Sequence, residues 1–553
     1  MKRTLILWAT LLMSMGVNAL TSIEVKNADG VTICYDITND GLEVTSGIYS
    51  GNIVIPEEVT YESRKWKVTS IGWKAFCGCR VTSVTIPNSV TTIGVSAFEY
   101  CSELTSVTIG NSVKNIRDNA FYNCSSLTTL TIPDSVVNIG EKAFSDCRGL
   151  TSITIGSRVT RIEKDAFFGC RALTSLHISD LRAWFRITFL NGSSNPLSYA
   201  HHLFLNGEEV KDLVIPNSVI SIKDYAFEDC HSLTSVTIPD NVTTIGKWAF
   251  INCSSLNSVT IPSSVTVIRE STFYGCSGLT TLTIPNSVTS IGQSAFRLCV
   301  GLTSVKIPNS VTTIEGYAFA DCSSLTSLTI PKSVTTIGDF AFCWCKGLTS
   351  INIEAGNTNY DSRDDCNGII ETKTNTLITG CKNTIIPNSV TSIEKYAFAR
   401  CNGLTSITIP NGVTSIGYCA FEGCSGLTSI TIPGTVTSIG SNAFYGWNMF
   451  QIISKIENPF FLYEDVFTDI TFANATLYVP EGTIDKYKAQ SYWWKFKKFV
   501  EFDVNGDDPS DIGALLSEQL DNDYIYDLNG RRMPNTKLPK GVYIQNGKKV
   551  VIK

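Results

Sequence analysis

The chain has 553 residues, 43% of them hydrophobic and 17% charged, with 19 cysteines and a formal charge of −6. This composition excludes an intrinsically disordered chain, a disulfide-held miniprotein and a nucleic-acid scaffold. Length alone suggests three or four domains, but an internal repeat overrides that expectation.

Lys2 and Arg3 precede an apolar run from Leu5 to Val17, followed by Asn18 and Ala19. That order is expected of a secretory signal peptide over residues 1–19. No later segment offers the ~18 consecutive apolar residues of a membrane helix, so no transmembrane span is expected in the mature chain. Residues 20–70 carry pieces of the repeat, Ile53-Val54-Ile55-Pro56 and Val68 to Gly72, pulled apart. They are expected to form a β cap over the first open coil.

From 71 to 450 the phenylalanine of an Ala-Phe pair recurs with a stride of 23 residues, at Phe98, Phe121, Phe144 and Phe167, from Phe227 to Phe342, and from Phe398 to Phe444. With Phe76 this marks fourteen units. In one unit, Leu104, Val107 and Ile109 form the apolar side of a short strand. Gly110-Asn111-Ser112, elsewhere usually Pro-Asn-Ser, makes a corner. Val113 and Ile116 point inward from a second short strand, and Ala120, Phe121 and Cys124 have the spacing of one helical turn. The fold class predicted is a β-rich α+β solenoid, a curved rod of about 14 coils on the order of 65 Å long.

Units such as Leu279 to Phe296, Leu-Thr-Thr-Leu-Thr-Ile-Pro-Asn-Ser-Val-Thr-Ser-Ile-Gly-Gln-Ser-Ala-Phe, resemble the BspA-like leucine-rich repeat family. The resemblance covers about residues 71 to 450. It implies a leucine-rich repeat rod, export to the bacterial surface and, for several members, adhesion to host matrix proteins or other microbes. It leaves the ligand open, because one solenoid fold hosts many partners.

Thirteen cysteines lie three residues after a ruler phenylalanine and read as small buried hydrophobes. β-Hairpin insertions are expected at about 180–212 and 354–385. The first contains His201, His202 and a hairpin with an Asn206-Gly207 turn; its histidines are assigned to packing, not to a metal. In the second, a hairpin that sets Glu371 opposite Thr376 would place Cys366 opposite Cys381 at disulfide distance.

Residues 451–502 are expected to form a C-terminal cap and 503–520 a linker. Asp503-Val504-Asn505-Gly506-Asp507 is a weak match to a calcium loop, with Asp508 and Ala514 at positions that call for glycine and glutamate. Residues 521–553 read as a small β domain with strands at 524–528, 541–545 and 548–552. Asp527 to Arg532, Pro539 to Ile544 and Lys548 to Lys553 resemble the sorting domain of type IX secretion, which implies contact with that machinery and an address outside the outer membrane.

The outward positions of the main strand are nearly all Ser and Thr, with no acid–base pair in a distinctive frame. No catalytic motif, cofactor or metal site is expected. Two residues before the ruler phenylalanine, Tyr225, Trp248, Tyr317, Phe340 and Tyr396 form a discontinuous aromatic stripe, read either as inter-coil packing or as a surface for a protein or glycan. The functional expectation is a non-catalytic surface binding protein. A structural spacer without a ligand and a secreted enzyme with its site in an insertion are the alternatives.

Overall fold

The computed structural model describes residues 22–504 and, beyond them, the backbone of four strands, Ile525–Asp527, Arg532–Met533, Gly541–Gln545 and Lys548–Ile552. The signal peptide read over residues 1–19, and the linker and calcium-loop match beyond Val504, lie outside the described residues. The repeat folds as a β-solenoid of about 20 turns of ~23 residues. That exceeds the fourteen marked by phenylalanine, because segments without the ruler also enter the stack. Ser50–Val54 pairs in parallel with Arg80–Thr85. At the other end, Gln451–Ser454, Thr476–Pro480 and Lys498–Phe502 continue a parallel ladder.

Period-two alternation builds the main strand of each coil. In Thr129–Thr131 the two threonines are exposed and Leu130 is buried, and the strand pairs with Ser152–Ile155 one coil on. The second strand is only two residues long. In Asn138–Ile139 the isoleucine is buried, and the pair is flanked by Asn115–Ile116 and Arg161–Ile162.

The closing stretch is not the helical turn expected from the spacing of Ala120, Phe121 and Cys124. The N–H groups of Asn119, Phe121 and Asn123 donate to Glu141, Ala143 and Ser145 in the next coil. Those of Ala120, Tyr122 and Cys124 donate back three residues, to Arg117, Asn119 and Phe121. Asn119 and Asn123 have φ of 54° and 57°. A helix needs every N–H within its own segment; here alternate ones are spent between coils, and left-handed residues turn the chain back.

The chain divides into two compact units, one ending at Leu348 with Glu354–Asn357 added, the other formed by Thr349–Ile353 and the chain from Thr358. In the first, the buried phenylalanines stack face to face: Phe76 to Phe98 at 4.8 Å and 8°, Phe250 to Phe273 at 5.5 Å and 4°. Tyr49 begins this column, 4.5 Å from Phe76. Within the first insertion Phe185 packs 5.5 Å from Phe227, and Trp184 Nε1 donates to Ala226 O at 3.0 Å. The insertion is therefore more than a hairpin. It has short helices, Leu181–Trp184 and Leu197–Ala200, and its strand Thr188–Phe189 continues the second-strand ladder beside Arg161–Ile162. Leu203–Leu205 then pairs back on Glu208–Glu209 across Asn206-Gly207, both with positive φ.

In the second unit Ile369–Glu371 and Thr376–Thr379 form the expected hairpin, with Glu371 opposite Thr376. A bulge then sets Ile369 against Thr379. It shifts the register by one from the pairing that the Cys366–Cys381 bridge assumed, and both cysteines are buried beyond the end of the ladder, with no bond drawn between them. Gly380 takes the place of a ruler phenylalanine: its N–H donates to Ala397 O, and a Cβ there would lie 2.1 Å from the Phe398 ring. The column resumes from Phe398 through Phe421 and Phe444 to Phe467. Tyr487, Trp493 and Phe496 are buried beyond it. The four terminal strands form an antiparallel sheet in the order Arg532–Met533, Ile525–Asp527, Gly541–Gln545, Lys548–Ile552.

Candidate functional site on the closing turns

The aromatic stripe sits on the first left-handed position of the closing turn. Tyr225, Trp248, Tyr317, Phe340 and Tyr396 have φ between 55° and 63°. Ser96, Asn119, Lys142 and Asp165 hold the same position in earlier coils, also with positive φ. All five aromatic side chains are half-buried. An aromatic residue in this conformation costs of order 1–3 kcal/mol, which Asn or Gly largely avoids.

Each ring meets a neighbour from another coil. In the first unit Tyr225 stacks on Trp248 at 4.9 Å and 8°. Lys247 Nζ lies 5.5 Å from the Trp248 ring and 2.9 Å from Glu270. Tyr317 lies 5.0 Å from Phe340 and 6.4 Å from Trp344. Arg297 joins this group, with its guanidinium 5.1 Å from Tyr317, 5.6 Å from Trp344 and 5.8 Å from Tyr274. Asp321 faces Arg297 Nε at 3.7 Å. In the second unit Tyr396 meets Tyr418 edge-on at 5.3 Å. Arg297, Trp344 and Tyr418 are additions that a search by stride alone missed, since they occupy other positions of the turn. Their aromatic or cationic character, within a few residues of each stripe position, was the available signal.

Three of the four histidines gather where the first insertion meets the next coil. His201 and His231 stack at 4.3 Å and 3°. His201 Nδ1 is 3.1 Å from Asp229 O, so that nitrogen carries a proton. His202 Nδ1 bonds Glu209 at 2.6 Å. On the same coil as His231, burial and then the charge of Asp229 push the Glu228 carboxyl up to about 7. His231 arrives from a different coil, so the sequence showed only the adjacent pair. Among the described residues, no group of three or more His, Cys, Asp or Glu is placed to hold a metal ion.

The hydroxyl face of the main strands carries two shallow grooves, about 480 Å³ beside Thr108, Thr131 and Thr154, and about 690 Å³ beside Thr408, Thr431 and Lys455. Neither brings together two carboxylates or a histidine. Cysteine thiols occupy the buried column behind the turns: Cys124 Sγ donates to Phe98 O at 3.1 Å and Cys276 Sγ to Phe250 O at 3.2 Å. Burial pushes the Cys101 and Cys170 thiols up to about 12, which removes them as nucleophiles. Among the described residues, no helix is long and apolar enough to cross a membrane.

The chain is similar to a leucine-rich repeat protein from Bacteroides ovatus, with 25% identity over 85% of this chain and 98% of that one, at a TM-score of 0.35. A leucine rich cell surface protein from Faecalibacterium prausnitzii matches at 22% identity over 85% and 97% of the two chains, with a TM-score of 0.26. A leucine-rich repeat protein from Bacteroides capillosus is 30% identical over 24% of this chain and 96% of that one, with a TM-score of 0.21. No curated protein matches. The family model for the BspA type leucine rich repeat region matches residues 69–193, 199–326, 312–366 and 369–488, which is well over half of the sequence, and the chain belongs to that family.

Proposed function

We propose that this is an exported, non-catalytic surface protein that holds a macromolecular partner on the closing turns of its coils, in an adhesive role. The carrying observation is that half-buried aromatic residues are kept at left-handed positions where Asn or Gly costs less. The Lys2-Arg3 and apolar N-terminus, the sorting-like tail and the family membership support the address. A protein partner fits better than a glycan. The Tyr225 and Trp248 faces cover each other and Arg297 lies against Tyr317, so ring edges, hydroxyls and charged groups are what remain to offer.

The test presents the purified chain to matrix proteins and to glycans, with Tyr317 and Phe340 changed to Asn in one variant and Tyr396 in another. Asn suits the left-handed backbone, so the fold should survive. Binding weakened at least tenfold with unchanged circular dichroism is expected of one variant or both. Unchanged binding in both would remove the stripe, and absence of any saturable ligand would favour the spacer reading.

A further inference from the structure

The insertion at 180–212 docks on the following coil through an unusual set of groups. Glu228, on the closing turn of that coil, points its carboxylate at Gly192; a side chain on residue 192 would run into both carboxylate oxygens. The Oε2 atom is buried without a hydrogen-bond partner. Along the same seam the imidazoles of His201, from the insertion, and His231, from the coil, lie parallel at 4.3 Å. The main chain joins the same two sides, with the N–H of His231 donating to His201 O at 3.0 Å. Asn195 Nδ2 donates to Tyr225 O at 2.7 Å across the same seam.

We infer that this seam is a pH-sensitive clasp: protonated Glu228 holds the insertion on the coil, its ionisation loosens the insertion, and a charge on His231 against the His201 ring opposes docking on the acid side. An ionised carboxylate pressed on a glycine with one oxygen unsatisfied is costly, whereas the neutral acid is not. The charged neighbours do not cancel this. On the insertion side Gly192 and Asn195 are neutral, the Ser198 hydroxyl favours the ionised Glu228 but less than burial and Asp229 disfavour it, and His202 is engaged with Glu209, which also faces Lys211 at 3.7 Å. On the coil side Asp224 and Asp229 are acidic, and Asp229 is held by Asn252 from the next coil at 3.0 Å. His231 Nε2 approaches Asp229 Oδ1 at 3.8 Å, which favours a charge on His231, while its burial and the His201 ring disfavour it.

The signs follow from linkage. Glu228 is raised from 4.5 to about 7, so its contribution to docking is full below 4.5 and is lost as pH rises through about 7. Burial, then His201, lowers His231 from 6.5, so its contribution is present above 6.5 and is lost as pH falls. The two oppose each other between about 4.5 and 6.5, and above 6.5 only the remainder of the Glu228 loss is left.

Hydrogen exchange of the full chain, expressed as protection factors for residues 192–205, tests this, with coils 235–303 as the internal control. Between pH 6.5 and 8.5, wild-type protection should fall about fourfold in the insertion and not in the control. Glu228→Gln should abolish that fall. His231→Phe, which keeps a ring on the stack, should gain about twentyfold protection between pH 6.5 and 5, more than the wild type, in which His231 opposes the gain. A wild-type profile flat above 6.5, or an equal fall in Glu228→Gln, would overturn the clasp. Should Glu228→Gln fail to fold, the wild-type comparison between insertion and control decides alone.

Discussion

At the scale of single residues, the cysteines show how a repeat converts one position into a property of the stack. Their inward position was legible from the stride, because a residue three after the ruler phenylalanine falls on the same buried side. Their hydrogen bond was not, because the acceptor lies one coil away. Ten of the ruler carbonyls accept from the cysteine N–H of their own coil and from the thiol of the next, as Phe98 O does from Cys101 and Cys124. Where the insertion interrupts the series, Cys230 instead pairs with Ser232 Oγ at 3.6 Å. The thiol is thus a small hydrophobe with one weak donor, which neither Ala nor Val reproduces. With thiols pushed up to about 12, only about one in ten thousand is thiolate at pH 8. Alkylation of the native protein at pH 8, read by mass spectrometry, is expected to mark the half-buried Cys34, Cys77 and Cys79 first. Cys124, Cys253 and Cys276 should react only in denaturant. Prompt native labelling of those three would contradict the buried column.

At the scale of the closing turn, the misreading as helix has a definite cause. Ala120, Phe121 and Cys124 are spaced as one helical face would be, and linked turns with left-handed residues four apart put the same residues inward. The discriminating signal was present: Asn119, Asn123, Asp146, Gly169 and Gly275 stand at the left-handed positions, and those residue types tolerate that backbone. It was masked by the coils that break the rule, including the aromatic ones on which the candidate site rests. Lys142 breaks it without evident return. It has φ of 52°, and its 3.6 Å pair with Glu141 is half exposed, so that pair contributes little. Lys142→Asn is therefore expected to stabilise the protein by about 0.5–1 kcal/mol, raising the urea midpoint. Tyr317→Asn relieves the same backbone but loses the Phe340, Trp344 and Arg297 contacts, and should give no such gain. Equal stabilisation by both would mean that the aromatic contacts contribute nothing to the stack.

At the scale of the molecule, the ruler located the coils but undercounted them, because a coil is defined by its ladders and not by its phenylalanine. The cap strands Ser50–Val54 and Thr476–Pro480 pair in parallel like any main strand, although their sequences lack the Ala-Phe pair. Phe185 and Gly380 stand in for ruler residues in ways that only packing reveals. If register is the defining quantity, whole coils are removable and fractions of coils are not. Deleting residues 256–278 joins Ser255 to Leu279 and preserves the Cys-Ser-Ser-Leu junction of Cys253 to Leu256. Val236 would then face Leu282 as it now faces Val259, and the phenylalanine column would close from Phe250 to Phe296. Deleting 257–278 leaves one extra residue and turns the following main strand over, exposing its leucines and isoleucines. The first deletion should unfold cooperatively with native-like circular dichroism and a modest loss of stability, since each coil contributes mainly through its neighbours. The second should lose protection from exchange downstream of the junction. Equal behaviour of the two would show that the stack tolerates slippage, and that the 23-residue stride is not what holds the coils in register.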